Sequence, residues 1–258
     1  MNATLYRNGI VLDKTNITVA TIGHMPPEFK KEKITKWSSD IFEITDDIES
    51  YMLSKDSDGP GWEFTDDNLG EILPDNFQGE FLVAIVNVPL EDNWYTRRLH
   101  KNRLVFTFYE IKEILYHSNI PLENIIYRLL YTYTLLYKRS GNKIPMTGEH
   151  TNFAHDETRG CLFDMNGIKT DIVYSCHQPI ICSHCTEKLK QEKVSIEVIS
   201  KIKKEIAKIK KPLFYRLEEF VKKHPIGSLI ISAITAVVFG AIGSFIATVI
   251  YDTTKNSI

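Results

Sequence analysis

The sequence predicts an α/β protein. It reads as a mixed sheet with helices, plus a small zinc-binding subdomain, a basic juxtamembrane helix and one C-terminal transmembrane helix. Three observations lead there. Two apolar runs, 81–88 (FLVAIVNV) and 103–109 (RLVFTFY), have the pattern of strands buried on both faces, and such strands need helices to cover them. All four cysteines lie between positions 161 and 185. Residues 226–251 (IGSLIISAITAVVFGAIGSFIATVIY) carry no charge over roughly 25 residues, enough to cross a bilayer as one helix that satisfies its own backbone.

Segments 3–12 and 16–23 are rich in Leu, Ile, Val, Thr and Tyr. The turn-forming residues Asp13, Lys14, Thr15 and Asn16 lie between them, which predicts a β-hairpin. Segment 24–79 is punctuated by Pro26, Pro27, Gly59, Pro60, Gly61, Gly70 and Pro74. It predicts a short helix around 46–55 and irregular loops elsewhere. The two buried strands follow, with an irregular connection over 89–102 and a short helix at 110–117. Pro121 opens a helix over 122–138, where Ile125, Ile126, Leu129, Leu130, Tyr133 and Leu136 share a wide apolar face. Ser140, Gly141 and Asn142 end it. Residues 142–160 form a polar loop holding Glu149, His150, His155, Asp156, Glu157 and Arg159. Segment 168–175 reads as another strand, and a helix runs from the second cysteine pair towards the membrane.

The domain boundaries follow from these shifts. An α/β domain spans 1–148, a Cys/His zinc-binding subdomain 149–190, a basic amphipathic helix 191–224 and the membrane helix 226–251. The formal net charge of −2 hides an acidic stretch over 40–80 and a basic one over 190–223. A basic stretch beside a membrane helix attracts anionic headgroups, which makes the lipid bilayer the first expected partner. Lys201, Lys203, Lys204, Lys208, Lys210, Lys211, Arg216, Lys222 and Lys223 precede the span, whereas Lys255 alone follows it. Lys/Arg excess stays in the cytoplasm, so the N-terminal domain is expected there. No signal-peptide core opens the sequence.

Cys182-x-x-Cys185 is half of a thiolate zinc site, because two-residue spacing lets both sulfurs reach one ion from a tight turn. In a reducing cytoplasm, clustered cysteines point to metal rather than disulfides. Cys161 is the third expected ligand, and Cys176, His155 or His184 the fourth.

From about 81 to 189 the order of elements resembles the archaemetzincins, a branch of the metzincin zinc peptidases. The segments that carry the resemblance are FLVAIVNVPL, RLVFTFYE, PLENIIYRLLYTYTLLYK, HDETRGCLFDM and ICSHCTEKL. His155 lies six residues before Cys161, a spacing similar to that between the family's last active-site histidine and its second structural cysteine. Met165 follows somewhat later than the family's turn methionine would. The resemblance implies a metzincin-like fold and part of a structural zinc site. The departures count against the family's chemistry. Peptide hydrolysis there needs HExxH, and the helix at 122–138 contains no histidine. Position 156 is aspartate where the family has its first structural cysteine.

Three function classes fit the residues. The preferred one is a non-peptidase interaction or effector module with structural zinc. It is membrane-anchored, meets an unidentified cytoplasmic protein and self-associates through its span. The recurrence of Ser228, Ser232, Ala236, Gly240, Ser244 and Thr248 at every fourth position gives that helix a face of small residues for close contact. Ile199, Ile202, Ile206, Ile209 and Leu213 add a short coiled-coil-like seam before it. The alternative is a divergent metal-dependent hydrolase using His150, His155 and Glu157. A nucleic-acid-binding zinc module is weaker still, because the lysines lie where lipid accounts for them.

Overall fold

Every residue of Phe81–Val86 is buried, and this segment forms the middle strand of the sheet in a computed structural model. The structure describes residues 14–255 except 46, 153, 156, 157 and 193. Among these, the strands are β1 (Thr15–Ile22), β2 (Phe42–Ile44), β3 (Glu49–Tyr51), β4 (Phe81–Val86), β5 (Thr96–Leu99) and β6 (Arg103–Thr107). The order is β2-β1-β4-β6-β5, with β3 continuing alongside β1 beyond β2. All pairs are parallel except β5 with β6.

The side chains of β4 alternate between two cores, as a strand's period of two requires. Phe81, Val83 and Ile85 join Ile17, Val19, Leu104 and Phe106 on one face. Leu82, Ala84 and Val86 join Ala20, Ile22 and Val105 on the other. Helix α1 is Lys31–Thr35 and α2 is Asp66–Ile72; α2 covers the second face with Leu69. Helix α3 is Ile111–His117 and α4 is Glu123–Arg139; α4 covers the first face with Ile125, Ile126, Leu129 and Leu130. The expected strands at 81–88 and 103–109 and the helices at 110–117 and 122–138 are all present within two residues.

Several local expectations need correction. Segment 3–12 of the hairpin lies outside the described residues, and among the described residues β1 has only parallel neighbours. The helix expected at 46–55 is replaced by β3. Thr21 donates to the Glu49 carbonyl and to Ser50 Oγ at 3.3 and 2.9 Å, which ties that segment to β1. Segment 168–175 is a 3-10 turn followed by α5 (Ile172–Ser175), not a strand. Its buried residues Ile172 and Ser175, with the buried Cys176 just after it, recur at helical spacing. The stretches expected to be irregular hide α1, β2, α2 and β5. Thr65 caps α2 by accepting from the Asn68 amide, and Asp66 and Asp67 lie in its first turn.

The helix expected to run from the cysteines to the membrane is three helices, α6 (Ser183–Gln191), α7 (Ile196–Ile206) and α8 (Leu213–Lys223), and the separately expected apolar helix at 226–251 is α9 (Pro225–Lys255). Pro212 and Pro225 mark the starts of α8 and α9, since a ring nitrogen cannot donate to a preceding turn. The break before α7 holds no proline, and there Ser195 caps the new helix by accepting from the Val198 amide. The chain divides into two compact units, Met1–Lys210 and Lys211–Ile258. Within the first unit Val198, Ile199, Ile202, Ile206 and Ile209 are buried in the core, so the isoleucine seam packs on its own domain. Within the second, α9 is 31 residues long and long and apolar enough to cross a membrane.

Candidate metal centre

Three chain segments bring the cysteines together. His155 lies on a short bridge: its amide donates to the Phe163 carbonyl at 3.1 Å, and its own carbonyl accepts from Met165 at 3.0 Å. Cys161 follows Gly160, whose φ of +85° an L side chain rarely adopts; a Cβ there would also lie 3.1 Å from the Tyr174 carbonyl oxygen. The Leu162 amide then donates to Ile180 at 2.8 Å, and Ile180 donates back to Gly160 at 2.9 Å. This pins the loop of Cys161 beside the strand-like entry to α6. Cys182 is the N-cap of α6, and its sulfur accepts from the Cys185 amide at 3.4 Å.

The ligand atoms of His155, Cys161, Cys182 and Cys185 all lie within 4.8 Å of one another and can hold a metal ion. Cys161 Sγ lies 3.8 Å from Cys185 Sγ. His155 Nε2 lies 3.1 Å from Cys185 Sγ and 3.6 Å from Cys182 Sγ. A tetrahedral zinc, bonded at ~2.3 Å to sulfur and ~2.05 Å to nitrogen, places neighbouring ligand atoms roughly 3.6–3.8 Å apart. The cluster therefore needs only small movements to close on an ion of that size. Cys161 and Cys185 are buried, so the set is shielded from solvent on that side.

The electrostatics agree. The hydrogen bond from Cys185, helped by backbone donors, lowers the Cys161 thiol to about 5. The same contact raises its partner Cys185, because two adjacent sulfurs cannot both carry charge unaided. A bound cation relieves that conflict, since metal ligands must be deprotonated.

The other candidates lie elsewhere. Cys176 is not in the cluster: burial pushes its thiol up to about 12, and its carbonyl accepts from Asn124 at 2.9 Å. His184 is exposed on α6, and His150 is exposed in its loop. Glu157 lies outside the described residues. Arg159 pairs with Asp171 at 2.8 Å and lies over the Tyr174 ring, which is a pin on the loop rather than a place among reacting groups.

A cleft of about 430 Å³ opens between β5 and α4. From α4 it is lined by Arg128, Leu129, Thr132, Tyr133 and Leu136, and no imidazole faces it from that helix. Arg128 is buried, donating to Tyr95 Oη at 3.3 Å and to the Leu162 and Asp164 carbonyls at 3.4 and 2.9 Å. Burial opposes its charge, but Tyr95, Cys176 and Asp164 more than offset that and keep it protonated. The sequence reading passed over Arg128, although a charged residue beside an apolar helical stripe is the signal that could have found it, since burying a guanidinium is costly unless it is hydrogen-bonded. Here both terminal nitrogens are bonded and the buried Nε is not. Its partners could not be found that way, since they lie on segments far apart in sequence.

No protein-family model matches the chain, and no curated protein does. A search of solved structures finds archaemetzincin from Methanopyrus kandleri, 11% identical and with a TM-score of 0.41. The match covers 73% of this chain and 98% of that one. This is the family that the order of elements in the sequence resembles.

Proposed function

We propose that the chain is a membrane-anchored zinc protein whose ion is structural and whose folded domain serves as an interaction or effector module in the cytoplasm. The observation that carries this reading is the convergence of three sulfurs and one imidazole nitrogen within 4.8 Å. Soft thiolates with imidazole suit zinc, and four protein ligands fill its tetrahedron. A hydrolase needs an open position for water, so a filled shell supports a structural role. His155, one of the sequence candidates for catalysis, is used as a ligand in this arrangement. The apolar 31-residue helix α9 supports the anchor, and the lysine-rich segment before it supports a cytoplasmic domain. Self-association through the small-residue face of α9 completes the reading.

The test is metal analysis of the full chain purified in detergent. The expected result is about one zinc per chain, with X-ray absorption showing three sulfur and one nitrogen neighbours and no bound water. A protein with no metal, or one with an open coordination site, overturns the proposal.

A further inference from the structure

Helix α8 carries an apolar face that nothing in the membrane-anchor reading uses. Leu213, Phe214, Leu217, Phe220 and Val221 are all between 44% and 71% exposed. At 100° per residue these five side chains fall within about 120° of the helix circumference. The remaining arc holds Tyr215, Arg216, Glu218, Glu219, Lys222 and Lys223. Glu218 pairs with Lys222 at 2.6 Å, and Glu219 pairs with Lys211. That pairing neutralises both acids. Arg216 and Lys223 have no acidic partner among the described residues. Both lie on the same flank of the apolar face, beside Phe220.

Only His224 separates α8 from α9. Its φ of −131° and ψ of 62° are not helical, so α8 is a separate helix rather than the first turns of the span. The Ser228 amide and hydroxyl both donate to the His224 carbonyl, which fixes the start of α9 at this point.

We infer that α8 lies in the plane of the membrane interface, with its apolar face among the upper acyl chains and Arg216 and Lys223 at the phosphates of anionic lipids. This rests on α9 spanning the bilayer. A helix one residue from the point of entry is held at headgroup depth, where an aromatic and aliphatic face with cationic flanks is stable. Each flanking cation adds attraction to an anionic surface. The α8 segment then acts as a second anchor that sets the depth of α9.

The test uses the full chain in phosphatidylcholine–phosphatidylserine vesicles containing phospholipids brominated at shallow or deep acyl positions. Phe214→Trp and Leu217→Trp report the apolar face, Tyr215→Trp the polar face and Phe239→Trp the centre of α9. Wild-type emission, from Trp37, Trp62 and Trp94, is subtracted. The expected result is loss of most of the added emission at 214 and 217 with shallow bromines, little loss at 215, and loss at 239 with deep bromines only. Quenching at 239 with none at 214 and 217 overturns the inference and leaves the anchor standing. So does an added emission at 214 and 217 that is blue-shifted yet unquenched, since a protein surface then covers α8. Absence of quenching at 239 overturns the anchor itself.

Discussion

Tyr131 of α4 donates its hydroxyl hydrogen to Glu205 of α7 across 2.5 Å. The same carboxylate accepts from Ser39 Oγ at 2.6 Å and from the Asp40 amide at 2.8 Å, while Trp37 donates to Tyr131 Oη at 3.0 Å. Glu205 is buried, so one acid joins α4, α7 and the entry to β2. Glu205→Ala strands three donors and should cost about 3 kcal/mol, whereas Glu205→Gln, which keeps shape and acceptor oxygen, should cost less. Urea unfolding of the detergent-solubilised chain followed by near-UV circular dichroism checks both. Equal stability of Glu205→Ala and wild type would show that the network is incidental.

The same contact predicts an alkaline limit. Burial, and then the hydrogen bond to Glu205, raises Tyr131 above its ordinary value near 10; burial also raises Tyr127 and Tyr133. A raised folded-state value means that the folded chain keeps protons the unfolded chain has released. The stabilisation is complete below about pH 10 and declines as pH rises beyond it, by up to roughly 1.4 kcal/mol per pH unit for each tyrosine. Tyr131→Phe should flatten part of that decline while lowering stability at neutral pH. An unchanged pH slope in this variant counts against the assignment.

For the metal centre, Cys182→Ser and His155→Ala should each lower zinc content and the melting temperature, because metal-binding energy is folding energy. His155→Cys should keep the metal by replacing nitrogen with a fourth sulfur. Cobalt substitution gives an independent reading, since the thiolate charge-transfer bands should intensify in His155→Cys. Cys176→Ser, which lies outside the cluster, should leave metal content intact. Metal loss in Cys176→Ser but not in His155→Ala would show that the fourth ligand is misassigned.

Much of the sheet was legible because burial on both faces leaves a continuous apolar run, as in Phe81–Val86. Helix α4 was legible because its face repeats over seventeen residues. Short elements were not. β3 and β5 are three and four residues long, too short for a period to show. In β5, Arg97 is buried because Asp66 of α2 meets it with two hydrogen bonds, at 2.7 and 2.8 Å, a pairing no local pattern encodes. At the metal centre the CxxC spacing named Cys182 and Cys185. The choice of His155 over Cys176 depended on a loop fold set by long-range backbone bonds.

Gly79 should be among the least replaceable glycines. A Cβ there would lie 2.5 Å from the Thr18 amide nitrogen and 2.9 Å from the Asn16 carbonyl oxygen, both backbone atoms of β1. The Gly79 amide also donates to Thr18 Oγ1 at 2.8 Å. Gly79→Ala must displace a sheet strand and should cost about 2–3 kcal/mol. Gly70, within α2, has only the far end of the Arg103 side chain within 4 Å, at 3.9 Å. Gly70→Ala should be neutral or stabilising by up to about 1 kcal/mol, because alanine is the better helix former. The thermal melt should fall for Gly79→Ala and hold or rise for Gly70→Ala, and matching shifts would refute the contrast.

Self-association through α9 has its own test. Ser232, Ala236, Gly240 and Ser244 lie on one face of the helix, and nothing lies within 4 Å of a Cβ built at Gly240. Isoleucine therefore fits there without disturbing the chain's own fold. If a second α9 packs on this face, its backbone comes closest at the glycine, and a branched side chain pushes the helices apart. Gly240→Ile should then lower the oligomeric state in detergent or bilayers. Insertion should survive, because isoleucine is more favourable in hydrocarbon than glycine. The isoleucine seam of α7 does not help, since it is buried within its own domain. Crosslinking of wild type and Gly240→Ile at equal expression isolates the contribution of α9. Equal crosslinking means that the small-residue face is a matter of composition and that α9 acts as an anchor without a helix partner.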